Sequence, residues 1–153
     1  MKAQAAMEYL LVAALILIVV IPATYLFFNY SQRSSGQIKE GRVTKMGSDI
    51  VNNAETIYYL GEPSRIVLTE TMPEGVDELR IDSDWEQGVN ELVFVTRFAG
   101  GEASDFVFSS KVNLQEAGDV LGEFDELDRR PGTKKIRLEA KNGPPPYVLV
   151  NIT

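Results

Sequence analysis

Between Tyr9 and Phe28 the chain runs for twenty residues without a charge, and this run limits the possible folds more than any other feature. As a helix rising about 1.5 Å per residue, it covers about the 30 Å of a bilayer's hydrocarbon core. Tyr9, Tyr25 and Tyr30 fall near its ends, where amphipathic rings favour the interface between lipid and water. The run exceeds the roughly 7–15 apolar residues of a secretory signal, and "NYSQRSSG" behind it offers no Ala-x-Ala cleavage site. Only Lys2 and the amino terminus are positive ahead of the run, whereas Arg33, Lys39, Arg42 and Lys45 follow it. Taken alone, that count places the following domain in the cytoplasm. A carboxylate, Glu8, stands at the head of the run.

The helical pattern does not stop at Phe28. No proline occurs from Ser31 to Leu60, and Val43, Met46, Ile50, Ala54, Ile57 and Tyr58 are spaced to line one side of a helix. Gly36, Gly41 and Gly47 weaken that helix and mark candidate loosened turns. "LGEP" at residues 60–63 supplies a glycine stop with a proline behind it. The expectation is one helix from about Gln4 to Leu60, roughly 85 Å long and kinked at Pro22. Its part over 4–30 suits a membrane or a filament core, and its part over 31–61 is amphipathic and packs on a head.

Past Pro63 the period changes to alternation. "RIVLTE" (65–70), "ELRID" (78–82), "ELVFVTRF" (91–98), "DFVFSS" (105–110), "KKIRLEA" (134–140) and "YVLVNIT" (147–153) are short, β-branched or aromatic, and bounded by turn residues. Leu92, Phe94, Thr96 and Phe98 share one face, as do Ile136, Leu138 and Ala140. "AGGEAS" reads as a hairpin loop and "KNGPPP" as a turn. The fold class expected is α+β: a long N-terminal helix followed by a small antiparallel β-sandwich head over 62–153.

With neither cysteine nor histidine, the chain has no disulfides, no thiol chemistry, no imidazole-based triad and few options for zinc or copper. Nothing nucleophilic has a recognisable setting, so no catalytic residue, metal or cofactor is expected. "DSDWEQG" at 82–88 places Asp82, Asp84 and Glu86 at alternate positions, like the start of a calcium loop. Its glycine comes one place late and no glutamate closes it, so an acidic turn is the better reading. The acidic segment 111–133 reads as a solvated or subunit-contacting loop. Two N-x-[ST] sequons begin at Asn29 and Asn151. Charge is unevenly laid out: residues 33–45 are net +3, 49–128 net -15 and 129–141 net +5. An acidic body between basic segments argues against a nucleic-acid partner. It suits either a solvated head or complementarity between copies.

"KAQAAMEYLL" resembles the class III signal peptide of archaeal type IV pilin-like proteins. In that family a basic and a small residue precede a cut before Gln, and a Glu-aromatic pair then leads into the apolar helix. Lys2 matches the basic residue, Ala3 the small one and Gln4 the first residue after the cut; Glu8 and Tyr9 match the pair. Ala3 stands where the family usually has Gly, and Ala6 where it usually has Ser. The resemblance covers about ten residues, or thirty with the apolar helix. It implies a leader over 1–3, removed between Ala3 and Gln4 by a prepilin peptidase on the cytoplasmic side. It also implies a membrane-bound precursor with its head outside, and polymerisation of the helices into a surface filament by an assembly machinery in the membrane. The amino group of Gln4 in one subunit would pair with Glu8 of a neighbour, beside Tyr9. The alternative is a monomeric, single-pass anchored surface protein whose β ectodomain binds a partner or ligand.

Overall fold

The helical spacing in the first sixty residues produces one helix: α1 spans Lys2–Leu60, with Pro22 inside it. The computed structural model describes residues 2–84, 87–98, 103–117 and 122–153. Pro22 removes one N–H from the helix ladder, yet the helix continues to Leu60. Termination follows the expected chemistry. Gly61 takes φ +73°, open to a residue without Cβ, and its N–H donates to the carbonyls of Ile57 at 3.0 Å and Tyr58 at 3.1 Å.

The chain divides into two compact units, one ending at Gln37 and one spanning Ile38–Thr153. The second contains the C-terminal part of α1 and seven strands. They are β1 (Arg65–Met72), β2 (Val76–Asp84), β3 (Val89–Thr96), β4 (Ser104–Ser109), β5 (Leu114–Glu116), β6 (Gly132–Lys141) and β7 (Tyr147–Ile152). A single helical turn, α2 (Glu126–Arg129), precedes β6. The strands form two sheets, a four-stranded one in the order β1-β6-β7-β5 and a three-stranded one in the order β2-β3-β4. All six expected strands are present.

The seventh strand, β5, is an addition within 111–133, and it pairs parallel to β7, whereas every other strand pair is antiparallel. The four-stranded sheet is therefore mixed rather than purely antiparallel. A three-residue strand has too little alternation to register as a sequence pattern. Its place depends on β7, more than thirty residues away. Between β5 and α2 the chain returns to the edge of β2, where Ile81 N–H donates to Gly122 O at 2.8 Å and Phe124 N–H to Leu79 O at 3.0 Å. Gly122 has φ +73°, and a Cβ there would lie 2.4 Å from the Ile81 carbonyl oxygen. This close approach of two backbones admits only glycine.

Each sheet buries one face, as alternating strands must when the other face meets water. Leu79, Leu92 and Phe94 from the three-stranded sheet and Leu114, Ile136, Leu138, Val148 and Val150 from the four-stranded sheet are completely buried. Val43, Met46, Ile50, Ala54 and Ile57 of α1 are also completely buried, and both sheets and the helix contribute to one core. The stripe read from helical spacing is thus the helix's core face; Val51, outside that stripe, joins it. Phe94 and Phe108 meet edge to face at 5.9 Å, an arrangement aromatic quadrupoles favour.

The glycines of α1 differ in cause. A Cβ on Gly47 would fall 2.3 Å from the Phe108 ring, whereas one on Gly41 would meet nothing within 4 Å. Gly47 makes room for an aromatic ring. Gly41 only weakens the helix. Gly41→Ala is therefore expected to stabilise the chain by about 0.5–1 kcal/mol. Gly47→Ala is expected to destabilise it by about 1–2 kcal/mol, since overpacking outweighs the same helix gain. Urea unfolding in mild detergent, followed by circular dichroism, reads both; a shared sign would show that Phe108 does not constrain Gly47.

Candidate functional site

A helix in water usually shows one apolar stripe and one polar face, but the first part of α1 is apolar all round. Its large apolar side chains from Met7 to Tyr30 are between 49% (Val20) and 77% (Tyr9) exposed. Two polar side chains in this stretch, Thr24 and Asn29, turn back onto the helix. Thr24 Oγ1 donates to Val20 O at 2.8 Å, and Asn29 Nδ2 donates to Tyr25 O at 3.2 Å. Such i to i−4 bonds satisfy polar groups internally, as a helix in lipid requires. Within Ala6–Leu60 the helix is long and apolar enough to cross a membrane. This fits membrane anchoring or a signal sequence.

Lys2 and Ala3 have helical backbone. Gln4, Glu8 and Tyr9 are exposed. Gln4 and Glu8 are four residues apart on one helix, so they share a face, with Tyr9 beside them. Glu8 is the single charged side chain between Lys2 and Arg33. The structure therefore brings the three proposed assembly residues to one end of an exposed apolar surface.

The basic segment behind the apolar run is not simply a solvated collar. Lys39 Nζ donates to Glu74 Oε2 at 3.3 Å, and Lys45 Nζ donates to Asp49 Oδ2 and to Glu70 Oε1, each at 2.7 Å. Two of the four cations counted after the span thus pair with carboxylates of the β head, in or beside β1. The bonds to Asp49 and then Glu70 raise the Lys45 pKa above its ordinary 10.5, because each favours the ammonium form. A shallow, open depression of about 190 Å³ beside this pair is lined by Arg42, Lys45, Glu70 and Thr71. A second, of about 260 Å³, lies between the Glu62–Arg65 stretch and the end of β6. Both are polar and neither encloses a ligand-sized space.

The remaining sequence candidates are scattered. Asn29 is exposed on α1, its amide bonded to Tyr25 O. Asn151 is half-buried on β7 opposite Arg137 of β6, and its sequon threonine, Thr153, exchanges backbone hydrogen bonds with Lys135. Of the calcium-like trio, Asp82 accepts from Arg80 Nε at 2.9 Å and Asp84 accepts from Gln87 N–H at 3.1 Å; Glu86 lies outside the described residues. Among the described residues no group of three or more acidic side chains is placed to hold a metal ion. Alternation in β6 turns Arg137 and Glu139 to water, as the sequence pattern implies; what sequence reasoning missed is that Arg65 of β1 joins that outward face, opposite Glu139 in the register. Compared with family models, with curated proteins and with solved structures, the chain matches none.

Lys45 is a pH-dependent fastener. A cation whose folded pKa exceeds its unfolded value contributes stability that is complete below the unfolded pKa and is lost as pH rises through the folded one. Lys45→Met should therefore unfold at a lower temperature than the wild type at neutral pH. The gap should close as pH rises above 10.5 through the raised Lys45 value. Thermal midpoints of both proteins between pH 7 and about pH 11.5 check this; a gap independent of pH would assign the loss to packing of the lysine stem.

Proposed function

We propose that the chain is a pilin-like structural subunit, without enzymatic activity, of an archaeal type IV pilus-like surface filament. In this reading a prepilin peptidase cuts between Ala3 and Gln4, and the helix holds the precursor in the membrane with its head outside. The membrane-borne assembly machinery then transfers the subunit into a filament built on α1. The observation that carries the reading is the all-round exposure of the apolar run, headed by the one carboxylate, Glu8. A contiguous apolar surface of this size calls for lipid or other helices.

The chemistry at Glu8 supports assembly over simple anchoring. A carboxylate at the bilayer centre costs about 2.5–3.5 kcal/mol on insertion scales; at the edge, where Glu8 stands, the cost is smaller. Cleavage would create an ammonium on Gln4. In one chain that group shares a helix face with Glu8, four residues away; between chains staggered along their axes, it reaches the Glu8 of a neighbour. Pairing between charges withdrawn from water offsets their desolvation and sets the axial register. The pairing of Lys39 and Lys45 with carboxylates of the head also gives those cations a structural role besides topology. The second reading, a monomeric single-pass anchor carrying a β ectodomain that binds a partner, draws on the same helix length.

The two readings separate on the amino terminus and on polymeric state. Mass measurement on sheared surface material should find polymeric chains beginning at Gln4. Intact Met1 confined to a membrane fraction would establish the anchor instead. Glu8→Gln or Glu8→Ala should leave membrane insertion unchanged and lower the filament yield, measured by quantifying sheared protein; normal yield from both variants would defeat the role given to Glu8.

A further inference from the structure

The two sheets of the head carry opposite charge on their outer faces. On the four-stranded sheet, register places Arg65 of β1 and Lys135, Arg137 and Lys141 of β6 on the side away from the core, with Glu139 as the single acid of β1 and β6 on that side. Glu139 is taken up locally, 3.1 Å from Lys141 and 3.7 Å from Arg65. Its carboxyl is held below the usual range by Lys141 first, then Arg65 and Arg137. Lys135 and Arg137 are exposed and make no ion pair among the described residues.

On the three-stranded sheet the outer face bears Glu78, Asp82 and Asp84 of β2, Glu91 of β3 and Asp105 of β4, with Arg80 as the one base. Arg80 is bonded to Glu78 at 2.6 Å and to Asp82 at 2.9 Å. Glu91 and Asp105 have no cation partner among the described residues. Both faces also expose valine, Val67 (53%) on the basic side and Val107 (50%) and Val89 (39%) on the acidic side. Val67 lies opposite Arg137 in the register, and Val107 is two residues from Asp105. Each face thus carries an exposed apolar side chain next to an unpaired charge, Arg137 beside Val67 and Asp105 beside Val107, with the signs opposed.

We infer that heads of neighbouring copies associate face to face, the basic outer face of the four-stranded sheet of one copy on the acidic outer face of the three-stranded sheet of the next. The occupant of each face is a second copy of this chain, and for that the inference rests on the polymeric reading above. Opposed potentials across an interface fix orientation and reject wrong pairings. A basic face on a basic face, or an acidic on an acidic, would juxtapose like charges, so a two-fold contact is disfavoured. The favoured contact is heterologous: each copy uses two different faces and leaves one of each free, which propagates as a ring or an open helix. Asn151, opposite Arg137 on the basic face, is covered by the neighbour and carries no glycan in the assembled material.

Zero-length carbodiimide cross-linking of the full chain in sheared surface filaments tests the contact. It joins a lysine amine to a carboxylate only where the two touch. Lys135 and Asp105 lie on outer faces of different sheets around one core, so a link between them joins two copies. The expected result is a ladder of oligomers whose linked peptides join Lys135 or Lys141 to Glu91 or Asp105. K135E/R137E should lower the ladder yield at least about tenfold, because like charges would face each other. Adding E91K/D105K to the same chain should restore it with the linked residues exchanged. Filaments whose cross-links join β6 to β6, or that carry a glycan at Asn151 at full occupancy, overturn the contact and leave the filament reading standing. If the wild type gives no filaments, that reading fails, and the same reagent on membranes decides the contact: links from β6 to β3 or β4 sustain it, and monomer overturns it.

Discussion

The head depends on one packing interaction, the seating of α1 residues Val43, Met46, Ile50, Ala54 and Ile57 among the inner faces of two sheets. Each sheet is apolar on one face only, and a sheet with one apolar face must cover it with another element. Full burial of a side chain such as Ile50 or Leu138 contributes about 1.5–3 kcal/mol. A helix segment with glycines at positions 41 and 47 gains its stability from that burial more than from intrinsic propensity. The salt bridges of Lys39 and Lys45 to Glu74 and Glu70 lie at the margin of this seam and orient it. As surface pairs they add little energy of their own.

The same helix carries two kinds of apolar surface, and the difference accounts for the division of the chain into two compact units. From Val43 onward the apolar residues form a stripe, and the head covers it. Before Gln37 they surround the helix, and one head cannot cover a surface that faces every direction. Lipid satisfies it without specificity; a bundle of like helices satisfies it with a register that a charged residue can set. The proposed role of Glu8 belongs to this second possibility, and the opposed faces of the two sheets would supply the corresponding specificity between heads.

Much of the fold is legible in local pattern. The boundaries of α1, its core stripe, the Gly61 stop and the alternation of six strands all rest on periods that a few consecutive residues display. Ile136, Leu138 and Ala140 are buried as alternation requires. What local pattern misses is non-local. Leu114 is completely buried and β5 is a strand because β7 offers a partner. Gly122 is a glycine because the Ile81 carbonyl approaches it. Gly47, which reads as a helix weakness, is a seat for Phe108.

The candidate surfaces divide in the same way. Sequence alone determined that an uncharged helix of spanning length carries Lys2, Ala3, Gln4, Glu8 and Tyr9 at its head, because helical spacing and charge are local properties. It also determined that the rest of the chain is acidic between two basic segments. Only the tertiary structure decided that Lys39 and Lys45 meet carboxylates of the head, and that Arg65 joins Lys135 and Arg137 on one outer face while Glu91 and Asp105 share another. Those groupings depend on strand register, which pairs residues far apart in the chain through backbone hydrogen bonds that any sequence can make. Burial of one face of each sheet then selects among the possible registers.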